Sequence, residues 1–178
     1  MRSALRPGPN FRRHLRKKHN PSIAAEVLED RTLLAAVIGD ETIISSNTAG
    51  AESVFAVDLD GDGDMDVLTA SRNDDKIAWH ENNGSRTFTS HTITTDADGA
   101  KSVFAADMDG DGDIDVLSAS FSDDKIAWYE NDGSEAFTPH TITTDADSTK
   151  SVFAADVDSD GDIDVLSASR FDDKIAWY

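Results

Sequence analysis

Asp107-Met108-Asp109-Gly110-Asp111-Gly112-Asp113-Ile114-Asp115 lies between Ser102-Val103-Phe104-Ala105-Ala106 and Val116-Leu117-Ser118-Ala119-Ser120. The same succession occurs 49 residues earlier and 49 residues later. Ser53-Val54-Phe55-Ala56 returns as Ser102-Val103-Phe104-Ala105 and as Ser151-Val152-Phe153-Ala154, and Trp79 returns as Trp128 and Trp177. Residues 100–129 match residues 149–178 at 25 of 30 positions. The five mismatches are Ala100/Thr149, Met108/Val157, Gly110/Ser159, Phe121/Arg170 and Ser122/Phe171. A period in the 40–50 range is the mark of a propeller, solenoid or array.

Each unit reads as four short strands. Ser53–Asp58 alternates, with Phe55 and Val57 on one face. Asp66–Ser71 is a β-rich run, and Lys76–Glu81 places Ile77 and Trp79 opposite Ala78 and His80. Phe88–Thr94 is rich in Thr and Ile. Asn82-Asn83-Gly84-Ser85 before it signals a hairpin, because Asn-Gly supplies the positive φ of a tight turn. Four strands per 49 residues make one propeller blade. A blade cannot bury both faces alone and must stack on neighbours, which makes Trp79, Trp128 and Trp177 inter-blade filler. The expected fold is all-β: a partial β-propeller of four-stranded antiparallel blades over residues 38–178, two and a half to three of them, after a disordered basic segment, residues 1–37.

The loop between the first two strands of each unit carries Asp at positions 1, 3, 5, 7 and 9. These are Asp58, Asp60, Asp62, Asp64 and Asp66; Asp107, Asp109, Asp111, Asp113 and Asp115; and Asp156, Asp158, Asp160, Asp162 and Asp164. Position 6 is Gly63, Gly112 or Gly161. Two unit charges ~5 Å apart at an effective dielectric near 20 repel by about 3 kcal/mol. A fold that gathers five needs a counter-charge, and a hard divalent cation supplies one. Calcium takes six to eight oxygens in flexible geometry, and glycine permits the turn around it. Side-chain oxygens are expected from positions 1, 3, 5 and 9. Position 7 offers its backbone carbonyl and leaves its carboxylate outside. An EF-hand needs an acid at position 12, where Thr69, Ser118 and Ser167 stand. Magnesium retains water rather than filling an all-protein cage. The expectation is about one calcium per repeat, three in the chain, with a structural role.

These units resemble FG-GAP/VCBS-type repeats, the calcium-loop blades of integrin α-chain propellers and many bacterial extracellular proteins. The resemblance implies calcium on all five aspartates of each loop. Two signatures depart from it. Ser-Val-Phe-Ala replaces the Phe-Gly of the family name, and Thr69-Ala70-Ser71 and its copies replace Gly-Ala-Pro. The likeness is therefore to the bacterial branch and imports no integrin ligand.

Chemistry beyond the metal finds little support. Asp74-Asp75-Lys76 recurs as Asp123-Asp124-Lys125 and Asp172-Asp173-Lys174, which reads as a loop with a surface ion pair. His91 and His140 repeat on a Thr-rich strand. A catalytic set should break the repeat, and the clearest breaker, His80, stands alone where later units have Tyr129 and Tyr178. No nucleophile, base and orienting group come together, so the expectation is not an enzyme. The chain has no cysteine, which removes disulfides, thiolate metal sites and cysteine nucleophiles.

Charge divides the chain. Residues 1–37 hold eight bases and three acids, a net of +5, and the remainder holds eight bases and 32 acids, a net of −24. The acidic balance disfavours nucleic acid, and no apolar run is long enough to span a membrane. By composition the N-terminal segment, with Pro7, Pro9 and Pro21, is a solvated tail. Leu28-Glu29-Asp30-Arg31-Thr32-Leu33-Leu34-Ala35 resembles the Leu-Glu-Pro-Arg-x-Leu-Leu motif near the start of many large bacterial surface and secreted proteins, with Asp30 replacing Pro. That resemblance implies export and makes residues 1–37 a leader.

The combined expectation is a secreted or cell-surface bacterial scaffold for binding or adhesion. Its partners are calcium, a carbohydrate or extracellular protein ligand, and further blades of a longer chain or a second copy. The alternatives are a non-catalytic propeller fragment of a larger secreted polysaccharide-degrading enzyme, and a calcium buffer.

Overall fold

The computed structural model describes residues 41–178, and every regular element among them is a strand. The basic segment and its export motif lie outside the described residues. The first unit gives β1 (Ala51–Val57), β2 (Asp66–Ser71), β3 (Lys76–Asn82) and β4 (Phe88–Thr94). The second gives β5 (Ala100–Ala106), β6 (Asp115–Ser120), β7 (Lys125–Asn131) and β8 (Phe137–Thr143). The third gives β9 (Thr149–Ala155), β10 (Asp164–Ser169) and β11 (Lys174–Trp177). Consecutive strands pair antiparallel in the orders β1-β2-β3-β4, β5-β6-β7-β8 and β11-β10-β9. This is a partial β-propeller, with strands within two residues of those read from the sequence.

Stacking explains why β6 has no exposed face. Successive residues of a strand point to opposite faces. On β6, Val116 enters a core with Leu68, Ile77 and Trp79 of the first blade. Its neighbour Leu117 enters a second core with Val152, Ala154 and Val165 of the third. Every residue of β6 is buried. Of the three indoles read as inter-blade filler, Trp79 is the largest fully buried side chain and Trp128 packs against the second core, whereas Trp177 is exposed because no further blade covers it among the described residues. Phe55, Phe104 and Phe153 form a ladder along β1, β5 and β9, with ring centres 4.7 and 4.5 Å apart.

The Asp-Asp-Lys triplets do more than form surface ion pairs. Lys76 pairs with Asp74 at 2.9 Å, as read, and its ammonium also donates to Asn47 O at 3.2 Å. Lys125 pairs with Asp123 and donates to Asp96 O. The middle aspartates, Asp75 and Asp124, adopt φ 54°. Asp75 O accepts from Ala97 N–H at 3.1 Å and its Oδ1 from Gly99 N–H at 2.8 Å. Asp124 holds Ala146 and Ser148 in the same way. The first two triplets thus clamp the linkers on either side of their own blades, while Lys174 of the third pairs with Asp172.

The β3–β4 hairpin departs from a two-residue Asn-Gly turn. Positive φ falls on Gly84 and Arg86, and Asn83 N–H reaches Thr87 O at 3.5 Å. Asn83 Oδ1 accepts from Ser85 N–H and from the hydroxyls of Ser85 and Thr87. That side-chain network closes a longer loop than the dipeptide alone specifies.

Candidate metal centre

The aspartate loops leave the inner strand of each blade and enter the second. Their alternating sequence folds as a chain of local turns, the carboxylates at positions 3 and 5 each accepting from a backbone N–H two residues on. Asp60 Oδ1 accepts from Asp62 N–H at 3.1 Å, and Asp62 Oδ1 from Asp64 N–H at 2.8 Å. Asp109, Asp111, Asp158 and Asp160 repeat this. Asp58 Oδ2 reaches across the loop to Gly63 N–H at 3.1 Å. The glycines at position 6 have φ 96–100°, which a β-carbon disfavours. Position 4 also needs positive φ, supplied by Gly61, Gly110 and, in the third loop, Ser159 at 65°.

Three acidic groups form, each with one oxygen per residue and all oxygens within 4.8 Å of one another. They are Asp58, Asp60 and Asp62; Asp107, Asp109 and Asp115; and Asp156, Asp158 and Asp164. Positions 1 and 3 belong to every group. Position 5 joins in the first loop and position 9 in the other two. Asp64, Asp66, Asp111, Asp113, Asp160 and Asp162 fall outside these groups. The position 7 carboxylates of Asp64 and Asp113 lie against Gly84 and Gly133, where any side chain would collide with them.

Position 9 carries a structural task as well. Asp66 is fully buried. Its Oδ2 accepts from Leu59 N–H at 3.0 Å and its Oδ1 from Asn82 N–H at 2.7 Å, tying the loop start to the end of β3. Asp115 does the same with Met108 and Asn131, both at 2.8 Å. Burial raises the Asp115 carboxyl above the usual carboxylate value against the pull of these bonds. Asp60 and Asp158 are raised too, chiefly by desolvation, with neighbouring aspartates adding to it.

Do these residues fit a cation? Asp58 Oδ1 is buried with no hydrogen-bond partner, an arrangement that costs free energy unless something charged or donating meets it. The donor set is carboxylate oxygen throughout, the set that suits calcium, magnesium or manganese rather than a soft metal. The residues fit a hard divalent ion.

Sequence reasoning missed two apolar positions inside each loop. Position 2 enters the core shared with the following blade: Leu59 is 4% exposed and Met108 packs on the second core. Position 8 enters the core shared with the preceding blade, as Ile114 and Ile163 show. The signal was present, since both positions are apolar in all three copies amid carboxylates. A cleft of about 520 Å³ between the second and third loops is lined by Asp107, Met108, Asp109, Asp162 and Ile163.

The family profile of the FG-GAP-like repeat matches residues 58–118 and 107–167. The chain belongs to the FG-GAP-like repeat family. Each match begins at the first aspartate of one loop and runs past the equivalent loop of the next blade. A comparison with curated proteins finds no match. No helix among the described residues is long and apolar enough to cross a membrane.

Proposed function

We propose that this FG-GAP-like propeller is a calcium-stabilised binding scaffold that works outside the cell and carries no catalytic step of its own. One observation carries the metal reading. In each of three loops, carboxylates are gathered within 4.8 Å on a segment with an apolar residue in an inter-blade core, and the second loop, through Met108 and Ile114, enters the cores on both sides. A cation held by Asp58, Asp60 and Asp62, or by their counterparts, would offset the repulsion among them. Because Leu59, Met108, Ile114 and Ile163 are part of the same loops, holding the loop also holds the blades together. The metal's contribution is charge compensation alone.

The extracellular setting follows from mass action. A site with a dissociation constant near 10⁻⁴ M gains roughly 1.5 kcal/mol in ~1–2 mM calcium and almost nothing at submicromolar levels. A fold that draws on three such sites suits the first environment.

The test is thermal unfolding and titration calorimetry of the full chain with calcium, with magnesium and with chelator. The reading expects a rise in melting temperature with calcium, a smaller one with magnesium, and about three ions bound. Equal melting temperatures in calcium and chelator would remove it.

A further inference from the structure

Two of the positions at which the units differ carry charge. The second residue of the inner strands is Glu52, Lys101 or Lys150, and the residue after the second strands is Arg72, Phe121 or Arg170. Backbone bonds present the latter set in one way in each blade. Arg72 N–H donates to Gly50 O at 2.9 Å, Phe121 N–H to Gly99 O at 3.1 Å and Arg170 N–H to Ser148 O at 3.3 Å.

The three blades bring these side chains together. Lys101 of the second blade pairs with Glu52 of the first. Lys150 Nζ of the third blade lies 4.0 Å from the centre of the Phe121 ring of the second, and the Arg72 guanidinium of the first lies 5.8 Å from the same ring. Phe171 meets Phe121 edge-on at 6.3 Å, and the Arg170 guanidinium lies 5.4 Å over Phe171. Loss of solvent, then repulsion from Lys101, Arg170 and Arg72, holds the Lys150 ammonium below the usual lysine range.

Residues 38–178 contain eight bases among 32 acids. Lys76, Lys125 and Lys174 are paired with the aspartates of their own triplets, and Arg86 occupies a hairpin. The other four all converge here. Among the described residues only Glu52 brings a carboxylate within ion-pair range of any of the four. A chain that placed cations merely to offset its own acids would set them beside the aspartate loops. This cluster is at the other end of the inner strands: Glu52 is near the start of β1 and Asp58 follows its end, roughly 20 Å away at about 3.3 Å per residue.

We propose that this cationic and aromatic cluster is a binding site for an acidic sugar, a glycan residue bearing an isolated carboxylate or sulfate. Guanidinium groups from two blades offer paired N–H donors, the geometry suited to a carboxylate or sulfate. Phe171, 61% exposed beside Arg170, offers an apolar face to the C–H face of a pyranose ring. Charge density sets the class. An isolated anion in the cluster lies within a Debye length, about 8 Å, of the cations, whereas a dense polyanion extends over a surface with a net charge of −24. The inference rests on the scaffold reading for the idea that the propeller binds a ligand, and uses none of its metal residues.

The experiment is calorimetric titration of the full chain with a glucuronate-terminated disaccharide, its neutral glucose counterpart, polyglutamate and heparin, at two salt concentrations. Expected is binding of the acidic disaccharide at least ~10-fold tighter than the neutral one, and weaker at high salt. Arg72→Gln and Arg170→Gln should each weaken it about tenfold, and Phe171→Ala several-fold, with melting temperatures unchanged because all three side chains are exposed. Arg170→Lys should recover part of the loss. No binding of the acidic disaccharide, equal binding of the neutral one, indifference to the substitutions, or tighter binding of polyglutamate or heparin would each overturn the proposal. The outcomes separate it from the metal reading. Sugar binding without calcium-dependent stabilisation would remove the metal alone, and the converse would remove this site alone.

Discussion

The second and third blades share 25 of 30 residues over β5–β7 and β9–β11, yet they are buried very differently. Ile126 is 0% exposed and its counterpart Ile175 is 78%. Tyr129 is 3% exposed and Tyr178 41%, and Val157 is 42% exposed where Leu59 of the first blade is 4%. The second blade has a neighbour on each side, and the described residues place one on only one side of the third. The same side chains are core in one copy and surface in the other. Burial here belongs to the interface between blades rather than to the blade.

The largest effect should come from breaking that contrast in the core. Trp79→Ala should cost about 3–5 kcal/mol in chemical denaturation, while Trp177→Ala, 51% exposed, should cost less than ~1 kcal/mol. Equal costs would mean that the third blade is covered in solution.

Next comes the metal. Asp109→Asn should remove about 1.5 kcal/mol of the calcium-dependent gain, one site's share. In chelator it should leave stability unchanged or improve it, because a repelling charge is gone. Opposite signs in the two buffers, read from melting curves, distinguish a ligand from a structural aspartate. Asp66→Asn should lower stability in both, since Asp66 holds two backbone N–H groups.

A smaller effect is expected at position 4. Ser159 has a positive φ where the other loops use glycine, so Ser159→Gly should stabilise by about 0.5–1 kcal/mol and Gly110→Ser should lose as much. The smallest concerns His80, fully buried between Thr69 Oγ1 at 3.1 Å and Ser90 Oγ at 2.8 Å. Burial lowers its pKa, with Lys76 and His91 adding to it. The folded state thus disfavours the proton, and stability is lost as pH falls through the ordinary histidine value of 6.5. The paired change His80→Tyr with Thr69→Ser recreates the Tyr129–Ser118 contact of 3.1 Å and should flatten that pH dependence in melts between pH 5 and 8.

The repeat made the fold legible because strand alternation, turn residues and period all agreed. Asp66–Ser71 and Phe88–Thr94 were readable to the residue. The loops were legible as carboxylate clusters, but their internal division of labour was not. Asp60 and Asp66 look equivalent by spacing, and only the fold shows that one accepts a nearby turn bond while the other reaches Asn82, 16 residues away. Asp75 was opaque for the same reason: its partners, Ala97 and Gly99, belong to the next linker. Arg72, Lys150 and Arg170 lie on or just after different strands and in two different units, so no local pattern could have joined them.

The linker clamp has an evolutionary consequence. Lys76 grips residue 47 and Lys125 grips residue 96, each reaching back 29 positions. Asp75 and Asp124 reach forward 24 positions to Gly99 and Ser148. Every joint is specified within one unit's length of chain. Because each contact spans less than one unit, duplication or loss of a whole unit by unequal recombination keeps its partners available, so blade number can change while the linker contacts stay the same.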